Sequence, residues 1–571
     1  MTALLTENLP LLAGAPNGIK KLRELILELA VRGKLVPQDP SDEPASELLT
    51  RIAEGKARLV AEGKIKKQKA LAEIGEEEKP FNVPTNWEWI RLGQLGSVSS
   101  SSRVHQKDWQ SSGVPFYRAR EIVRLSRDGF VENELFISEK LYQELSTGES
   151  VPTPGDIMLT GVGTIGVPYC VQKTDRFYFK DASVLIFKNH VAENSSYLLK
   201  YFISPFWVDT IHAESMGTTV HTLTIARANE TLCPLPPLAE QHRIVTKVDE
   251  LMTLCDRLEA QQADAASAHA QLVQALLDSL TQASDATDFA ANWQRLAEHF
   301  HTLFTTEPSV DALKQTLLQL AVMGKLVPQS PSDEPASELL KRIAQEKARL
   351  VAEGKLKKQK PLTEIAEMEK TFELPESWEF VRLEEIAQVG TGATPLRTNP
   401  KYFEPATINW VTSGETSQDH IHETAQKVSP LALTETNLTV YPPHTLVIAM
   451  YGQGKTRGQI SELLIDACTN QACAAIQLFD QDESHRRYVK YFFIKSYDDI
   501  RLLAAGGAQP NLNLGKIKET VLPLPPAAEQ HRIVAKVDQL MALCEQLKTR
   551  LAQARQLNEQ LASTLVEQAV A

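Results

Sequence analysis

The strongest constraint on the fold is an internal repeat. The 37-residue segment GKLVPQDPSDEPASELLTRIAEGKARLVAEGKIKKQK, at 33–69, returns as GKLVPQSPSDEPASELLKRIAQEKARLVAEGKLKKQK at 324–360, with 32 of the 37 positions identical and an offset of 291 residues. A second pair, PLPPLAEQHRIVTKVDELMTLCDRLE from Pro234 and PLPPAAEQHRIVAKVDQLMALCEQLK from Pro523, repeats with an offset of 289. Repeats of this length indicate a tandem duplication, so we expect both halves to share one architecture.

Two segments between the repeated blocks differ from each other. Trp87–Cys233 and Trp378–Leu522 share only a skeleton of matching positions. Near-identical scaffolds that carry divergent inserts predict one framework presenting two different binding modules.

Composition restricts the class of protein. The 571 residues are 43% hydrophobic and 23% charged, which is typical of a soluble globular protein with several compact domains. The net charge of −12 argues against nucleic-acid binding by the whole surface and leaves local basic patches open. The six cysteines contain no CxxC pair, which gives no support to a zinc finger or a disulfide framework. The N-terminus is a poor signal peptide, and no apolar run approaches the roughly 20 residues of a membrane span, so we expect a cytoplasmic protein.

One amphipathic helix is expected just before the first repeated block, and a second is expected within it. The segment at 19–32 places Leu22, Leu25 and Leu29 on one face. ASELLTRIAEGKARLVAEG follows a PQDPSDEP turn and is predicted to be the second helix. The basic run at 64–69 is interpreted as a solvated turn, with docking on DNA phosphate or on an acidic partner as the alternative.

A heptad pattern follows each copy of the PLPP…EQHRIV motif. Apolar spacings of 4, 3, 4 and 3 predict one helix in each half, roughly 40 residues or about 60 Å long. We expect the two helices to pair as an antiparallel coiled coil, with a shorter helix at 289–303 packed on the same bundle. The predicted coiled-coil core consists of Ile244, Val248, Leu251, Leu258, Ile533, Val537, Leu540 and Leu547.

The inserts combine short β-rich runs with helical segments. The first contains VPFYRAREI, DIMLT, FYFKDASVLIF and the helical SYLLKYFISPFWVDTI, and the second follows the same plan. The predicted fold class is α+β, with two α/β domains separated by long helices and a pseudo-two-fold internal repeat. The predicted domains are a helical docking repeat at 1–84, an insert domain at 85–235, a long helix with connector at 236–308, a second docking repeat at 309–375, a second insert domain at 376–524 and a C-terminal helix at 525–571.

Three motifs resemble catalytic or cofactor sites without their structural context. GVGTIG at 161–166 is followed by VPYCVQ, which predicts a strand instead of the helix that a dinucleotide site requires. GQGKT at 452–456 lacks the first glycine of a phosphate-binding loop and a following helix. NPKY at 399–402 differs by one residue from the NPPY motif of adenine methyltransferases, and no donor-binding unit accompanies it. We therefore predict no catalytic, cofactor-binding or metal site in this chain.

Basic and amide side chains on glycine-rich loops are the candidates for nucleic-acid contacts. Between residues 103 and 127, six Lys and Arg residues face two acidic ones. Such side chains bind phosphates or base edges, and a solvated basic face is an equally weighted alternative. The later loops carry threonine and histidine in the first insert and glutamine and asparagine in the second. Such a difference is expected of two domains that recognise different sequences. The candidate DNA-binding residues are Arg103, His105, Lys107, Arg118, Arg120, Thr164, Thr218, Thr219 and His221 in the first insert, and Arg397, Lys401, Thr412, Ser413, Lys455, Arg457, Gln509, Asn511 and Asn513 in the second.

Taken together, the chain resembles the specificity subunits of type I restriction–modification enzymes. The resemblance is carried by the domain entries VPTNWEWIRL and LPESWEFVRL, the GTIG turn, the exits PLPPLAEQHRIV and PLPPAAEQHRIV, and the long helices between two variable domains. It implies that each insert is a target recognition domain for one half of a gapped double-stranded DNA sequence.

The same resemblance implies that the helices act as a ruler and as a docking surface for two methylation subunits. These partners would bring S-adenosylmethionine, and motor–nuclease subunits using ATP and Mg²⁺ would complete the complex, which leaves this chain non-catalytic. The alternatives are a single-chain methyltransferase or nuclease with its own recognition domains, and a coiled-coil adaptor that binds only protein.

Overall fold

The computed structural model describes residues 9–63, 70–146, 151–190, 192–213, 221–357, 362–452, 455–505 and 512–570. The chain divides into two compact units, one formed by Met1–Ala265 with Ala554–Ala571 and the other by Ala266–Gln553. Each unit contains one repeated block and one insert, and each long helix contributes residues to both units. None of the described helices is both long enough and apolar enough to cross a membrane.

The first unit combines helices with three small sheets. Its elements are α1 (Leu9–Gly14), α2 (Gly18–Val31), α3 (Ala45–Ala61), β1 (Glu88–Arg91), α4 (Leu92–Leu95), β2 (Gly96–Ser100), β3 (Val114–Tyr117), α5 (Ala119–Asp128), β4 (Phe136–Ile137), α6 (Glu139–Leu145), β5 (Ile157–Thr160), β6 (Pro168–Cys170), β7 (Tyr178–Phe179), β8 (Val184–Asn189), α7 (Ser195–Phe202), α8 (Pro205–Ala213), α9 (Ile225–Glu230), β9 (Leu232–Leu235) and the start of α10 (Leu238–Thr281). The strands form a β1-β9 pair, a sheet in the order β2-β8-β5-β6 and a sheet in the order β4-β3-β7.

The second unit repeats this plan with larger sheets. Its elements are α11 (Ala286–Glu298), α12 (Phe300–Leu303), α13 (Glu307–Val322), α14 (Ala336–Ala352), β10 (Glu379–Arg382), α15 (Leu383–Ile386), β11 (Ala387–Thr391), β12 (Ile408–Val411), β13 (His420–Ile421), β14 (Gln426–Val428), α16 (Pro430–Glu435), β15 (Val440–Tyr441), β16 (Leu446–Ala449), β17 (Ile460–Leu463), β18 (Ala467–Thr469), β19 (Cys473–Leu478), α17 (Glu483–Lys495), α18 (Tyr497–Ala505), α19 (Leu514–Lys518), β20 (Val521–Leu524) and the start of α20 (Ala527–Val570). The strands form a β10-β20 pair and sheets in the orders β11-β19-β16-β17-β13 and β14-β12-β18-β15.

Two of the runs predicted to be β-rich are divided between two elements. In VPFYRAREI, β3 ends at Tyr117 and α5 follows, because Ile122 and Leu125 bury one face of a helix. The Glu121 carboxylate also accepts the backbone N–H of Arg118 at 2.9 Å, which caps that helix. FYFKDASVLIF forms β7 and β8 with a turn at 180–183 between them.

Two predicted helices are divided as well. SYLLKYFISPFWVDTI forms α7 and α8, because Pro205 has no N–H group and disfavours helical geometry in the residue before it. The helix expected at 289–303 is α11 followed by the short α12. Its Leu296 and Leu303 are buried, whereas Trp293 and Phe300 remain partly exposed.

Most of the heptad residues of the long helices are buried within the unit that contains them, and Leu258, Leu540 and Leu547 are half-buried. In the first unit, Ile244 and Val248 of α10 share a core with Leu25 of α2 and Ala562 of α20. In the second unit, Leu540 and Leu547 of α20 pack in a core with leucines of α13 and with the last turns of α10. Each apolar seam is therefore packed against residues of both long helices and of shorter helices in the same unit. The antiparallel coiled coil itself stays a prediction.

The domain entry and exit are paired strands in both copies. β1 runs antiparallel to β9 with Glu88 opposite Leu235, and β10 runs antiparallel to β20 with Glu379 opposite Leu524. This pairing explains why the WEWIRL and WEFVRL entries and the PLPP exits recur together. It brings the two ends of each insert side by side at the start of a long helix.

A buried carboxylate joins the repeated block, the domain entry and the long helix. Glu240, only 1% exposed, accepts Trp87 Nε1–H at 2.9 Å and Gln38 Nε2–H at 2.6 Å. The second copy repeats both bonds at 2.9 and 2.6 Å with Glu529, Trp378 and Gln329. A separate pair of ion pairs joins Arg243 to Asp42 and Arg532 to Asp333. The tryptophan, the PSDEP turn and the EQHR motif are thus repeated because they form one polar junction.

We expect the double variant Glu240→Gln/Glu529→Gln to lose part of the pH dependence of unfolding. Burial raises the pKa of both carboxyls above the ordinary value of 4.5, although hydrogen bonds from Trp and Gln oppose the shift. The folded chain therefore binds these protons more readily than the unfolded chain. Their contribution to stability is complete below the unfolded pKa and is lost as the pH rises through the raised folded pKa.

Thermal unfolding followed from about pH 4 to 7 tests this expectation. Relative to the unaltered chain, the melting temperature of the variant should rise with pH, on top of a constant loss from the missing hydrogen bonds. A difference in melting temperature that is independent of pH would contradict the assignment of a raised pKa to these two carboxyls.

Candidate nucleic-acid interface

Three strands of the first insert domain end at one edge. β2 and β5 both pair with β8, with Ser100 opposite Leu185 and Thr160 opposite Val184. β3 is parallel to β7, with Tyr117 opposite Phe179, and the turn at 180–183 joins β7 to β8. The loops that follow β2, β3 and β5 therefore leave the sheets around this turn. We call the residues 101–108, 118–120, 161–166 and 180–183 the first loop edge.

The loop after β2 carries unpaired positive charge. Arg103, His105 and Lys107 are exposed, whereas Val104 between them is buried and anchors the loop. Within the part of the chain that the structure describes, none of these three side chains has an ion pair or a hydrogen bond. The residues predicted from the basic composition thus present free donors at the first loop edge.

The arginines after β3 are already neutralised. Arg118 Nη2 lies 2.8 Å and Arg120 Nε lies 2.6 Å from the buried Glu121 carboxylate, and Arg120 also pairs with Glu134. Burial alone would raise the pKa of Glu121, but hydrogen bonds from both arginines outweigh it and hold that pKa below its usual value. Arg118 and Arg120 therefore contribute less net positive potential than the sequence count indicated.

The glycine turn after β5 lies against the loop that follows α8. Gly163 N–H donates to the His221 carbonyl at 3.2 Å, and Leu223 N–H donates to the Gly161 carbonyl at 2.9 Å. This pairing brings the exposed Thr164 and the exposed His221 to one place, as two parts of one surface. The other candidates on the later loop, Thr218 and Thr219, lie outside the described residues.

The second insert domain has an equivalent edge. β11 and β16 both pair with β19, with Thr391 opposite Ala474 and Ala449 opposite Cys473. β12 is parallel to β18, and a turn at 470–472 joins β18 to β19. We call the residues 392–401, 412–414, 455–459 and 470–472 the second loop edge. It brings together the loops that follow β11, β12 and β16 and the turn at 470–472, which are separated in the sequence.

The candidate residues on the second loop edge differ in what they can offer. Arg397 and Lys401 are exposed, and no ion pair involves them among the described residues. The Thr412 hydroxyl and the Thr412 N–H both donate to the buried Glu415 carboxylate, the N–H at 2.8 Å. Thr412 therefore stabilises the conformation of the loop. Ser413 is half-buried, and its carbonyl accepts the Thr416 hydroxyl at 2.8 Å.

The remaining candidates of the second domain lie near its last helices. Lys455 is exposed and Arg457 is half-buried on the turn before β17. Asn513 caps α19 by accepting the Lys516 N–H at 2.9 Å, so its side-chain oxygen is committed. Gln509 and Asn511 lie outside the described residues.

Sequence reasoning missed the turns at the centre of both edges. Lys180 lies in the turn between β7 and β8, and the exposed Gln471 lies in the turn between β18 and β19. The polar interruptions KDAS and TNQA within apolar runs are the features that indicate these turns. Ala182 adopts a φ of 60°, which belongs to a turn and not to a strand.

The described parts of the three motifs lack the structural context of catalytic sites. Strand β6 follows GVGTIG, and strand β17 is the next element after Lys455 and Thr456 of GQGKT, whose Gln453 and Gly454 lie outside the described residues. The NPKY tetrapeptide lies in a short 3₁₀ helix at Pro400–Tyr402 that Asn399 caps. Among the residues that the structure describes, no group of three or more His, Cys, Asp or Glu side chains could hold a metal ion.

Comparisons with known proteins point to one family. A family model described as the type I restriction modification DNA specificity domain matches residues 84–266 and 375–556. The chain is 40% identical over 577 residues to the type I restriction enzyme EcoAI specificity subunit of Escherichia coli, with 97% of this chain and 94% of that protein covered. It is 38% identical over 580 residues to the EcoEI specificity subunit of the same organism, with the same coverage.

Solved structures give weaker likenesses. A chain from a study of the assembly and conformational transition of the type I R-M system has a TM-score of 0.47 and 18% identity, covering 86% of this chain and 99% of that one. The HsdS subunit from Thermoanaerobacter tengcongensis has a TM-score of 0.40 and 18% identity, covering 86% of this chain and 98% of that one.

Proposed function

Because the chain belongs to the family of type I restriction modification DNA specificity proteins, we propose that it recognises a two-part, gapped DNA target through its two loop edges. Each insert domain would read one half of the target, and the spacer between the halves would not be read. The observation that carries this proposal is the duplicated scaffold with two chemically different edges.

Equivalent positions on the two edges illustrate the difference. With the offset of 291 that relates the domain entries, His105 corresponds to Leu396, and both are exposed after a buried anchor residue, Val104 or Pro395. A histidine ring offers hydrogen bonds to base edges, whereas a leucine offers only apolar contact, for example with a thymine methyl group. Two edges of this kind would favour two different half-site sequences.

We further propose that the duplicated frame binds two copies of one partner. The blocks at 33–69 and 324–360 are identical at 32 of 37 positions, so a protein that binds one block would bind the other. The partners would be methylation subunits carrying S-adenosylmethionine, with motor–nuclease subunits that use ATP and Mg²⁺. This chain would contribute no catalytic group and would act in the cytoplasm, where those subunits and their DNA substrate meet.

The helices would serve as the ruler between the half-sites. The seam residues Ile244, Val248, Leu251, Leu258 and their counterparts Ile533, Val537, Leu540 and Leu547 are apolar at identical spacing in both helices. Identical seams suit an antiparallel coiled coil related by a pseudo-two-fold axis, in which helix length sets the distance between recognition domains.

The free cations of the first loop edge provide the test. We expect Arg103→Ala and Lys107→Ala each to lower the slope of log affinity against log salt by about 0.9, because each lost phosphate contact releases fewer counterions. Binding of the full-length chain to a DNA duplex would be measured over a range of salt concentrations.

Lys173→Ala is the matched control. Lys173 is exposed in the loop after β6, at the end of the sheet opposite the first loop edge, and its removal should leave the slope unchanged. A chain that binds duplex DNA without salt dependence would favour the protein-only adaptor. Methyl transfer by the purified chain alone, with labelled S-adenosylmethionine, would favour the single-chain enzyme.

A further inference from the structure

The turn before β17 in the second domain is held by two side chains of α18. The Tyr497 hydroxyl donates to the Lys455 carbonyl, and Arg501 Nη1 donates to the Arg457 carbonyl at 3.2 Å. Arg501 Nη1 also lies 3.0 Å from the Tyr497 hydroxyl, and its guanidinium carbon lies 5.2 Å from the centre of the Tyr497 ring. Tyr497 and Arg501 are four residues apart on α18, and together they fix the backbone of the turn before β17.

In the first domain, the side chains of Trp207 and Ile211 fix the equivalent turn by packing against it. Gly166 has a φ of 75°, and a Cβ atom added there would lie 2.2 Å from Ile211 Cδ1 and 2.8 Å from Trp207 Nε1. Trp207 Nε1–H also donates to the Gly166 carbonyl at 3.1 Å. The pair Trp207 and Ile211 is again spaced four residues apart on one helix.

The second domain has the same arrangement around Gly458. This glycine has a φ of 86°, and an added Cβ atom would lie 3.4 Å from Tyr497 Cδ2 and 3.6 Å from Arg501 Cγ. Tyr497 and Arg501 therefore occupy the places of Trp207 and Ile211. The second copy has an arginine where the first copy has an isoleucine.

Three cationic residues lie on this turn or packed against it. Over the described ranges, no ion pair involves Lys455, Arg457 or Arg501, and the nearby Asp499 pairs with Lys495 at 3.0 Å. Arg457 Nε is buried and has no hydrogen-bond partner among the described residues. Like charges on one turn repel one another when no carboxylate lies between them, and an incoming anion would relieve that repulsion.

We propose that this turn is a preformed anchor for DNA backbone phosphates, with Lys455 and Arg457 as the contacts and Tyr497 and Arg501 as positioning residues. The proposal rests on the DNA-binding function proposed above. A turn that is already locked loses little conformational entropy when it binds. Phosphate contacts set the register of a protein on the duplex, so the anchor would orient the second loop edge for base reading. The first domain, with Ile211 at this position, lacks the anchor.

Salt-dependent binding of the full-length chain to a mixed-sequence DNA duplex tests the anchor. Lys455→Ala and Arg457→Ala should each lower the slope of log affinity against log salt by about 0.9. Tyr497→Phe changes no charge, and we expect it to lower the slope as well, because the turn is released. Arg501→Ile introduces the residue of the first domain and removes the hydrogen bond to the Arg457 carbonyl. Because Arg457 is then no longer held in place, the slope should fall by up to about 0.9.

The outcomes separate this inference from the proposed function. Lys536→Ala, on the long helix α20, is the control for loss of one exposed charge and should leave the slope unchanged. An unaltered chain with no salt dependence would contradict the proposed function. A salt-dependent chain whose slope is the same in all four variants would overturn the phosphate anchor alone. If only Tyr497→Phe behaves as the unaltered chain while its melting temperature is also unchanged, Tyr497 is not a positioning residue.

Discussion

Val537→Asp in α20 should destabilise the second unit by about 3–5 kcal/mol, because it places an unpaired carboxyl in an apolar core. Val537 is fully buried among apolar residues that include Ile533, Trp378 and Leu522. The charged form of aspartate is excluded there, and the protonated form still lacks a hydrogen-bond partner. For a unit of this size, the loss lowers the melting temperature by about 10 °C. Thermal unfolding followed by circular dichroism measures it.

The same substitution six residues further along the helix is the control. Leu543 is 53% exposed, so Leu543→Asp should change the free energy of unfolding by less than about 0.5 kcal/mol. The first unit offers a second matched pair, Val248→Asp and Leu254→Asp, with Val248 fully buried and Leu254 44% exposed. Equal destabilisation by the buried and the exposed substitution would mean that the heptad seam is not the core of the helices.

Deleting one heptad from both long helices should abolish methylation of the original target. Any new target should contain the same two half-site sequences with a different spacer between them. Residues 260–266 of α10 and 549–555 of α20 are equivalent by the offset of 289 and are exposed or, at Leu551, partly exposed. Their loss shortens each helix by about 10 Å, which corresponds to about three base pairs of DNA. Because specific binding exceeds non-specific binding by about 10³ or more, a mismatched spacer costs at least that factor in affinity.

Methylation mapping in cells that carry the partner subunits would measure this effect. The control replaces with alanine the eight residues of these two heptads that are not already alanine, which keeps helix length and helical propensity, and the original target should then stay methylated. If the shortened chain methylates the original target with an unchanged spacer, the long helices do not set the distance between half-sites.

Local patterns in the chain were sufficient to predict most of the helical frame. The long helices α10 and α20 begin just after the Pro-Pro pairs, and the two helices expected before and within the first repeated block are α2 and α3. These predictions hold because helical periodicity and proline punctuation act over a few residues. The same approach failed at VPFYRAREI and FYFKDASVLIF, where apolar content is high but a cap or a turn interrupts the strand.

The candidate site could be predicted only in part. The glycine turns with Thr164 and Lys455 were identified as exposed loops, and the structure describes both as such. The neutralisation of Arg120 by Glu134, a residue 14 positions away, was not predicted, because charges were counted only between residues 103 and 127. Arg501 was not considered at all, since it lies 44 positions from Arg457, whose carbonyl it binds.

The repeat, the two seams and the polar junction residues can be read from the order of amino acids, because a duplication and a heptad are properties of spacing along the chain. Which loops meet at one edge, and which cations there stay unpaired, depends on the register of strands that are distant in sequence. Ion pairing requires two side chains within about 4 Å of each other, and only the folded arrangement sets that distance.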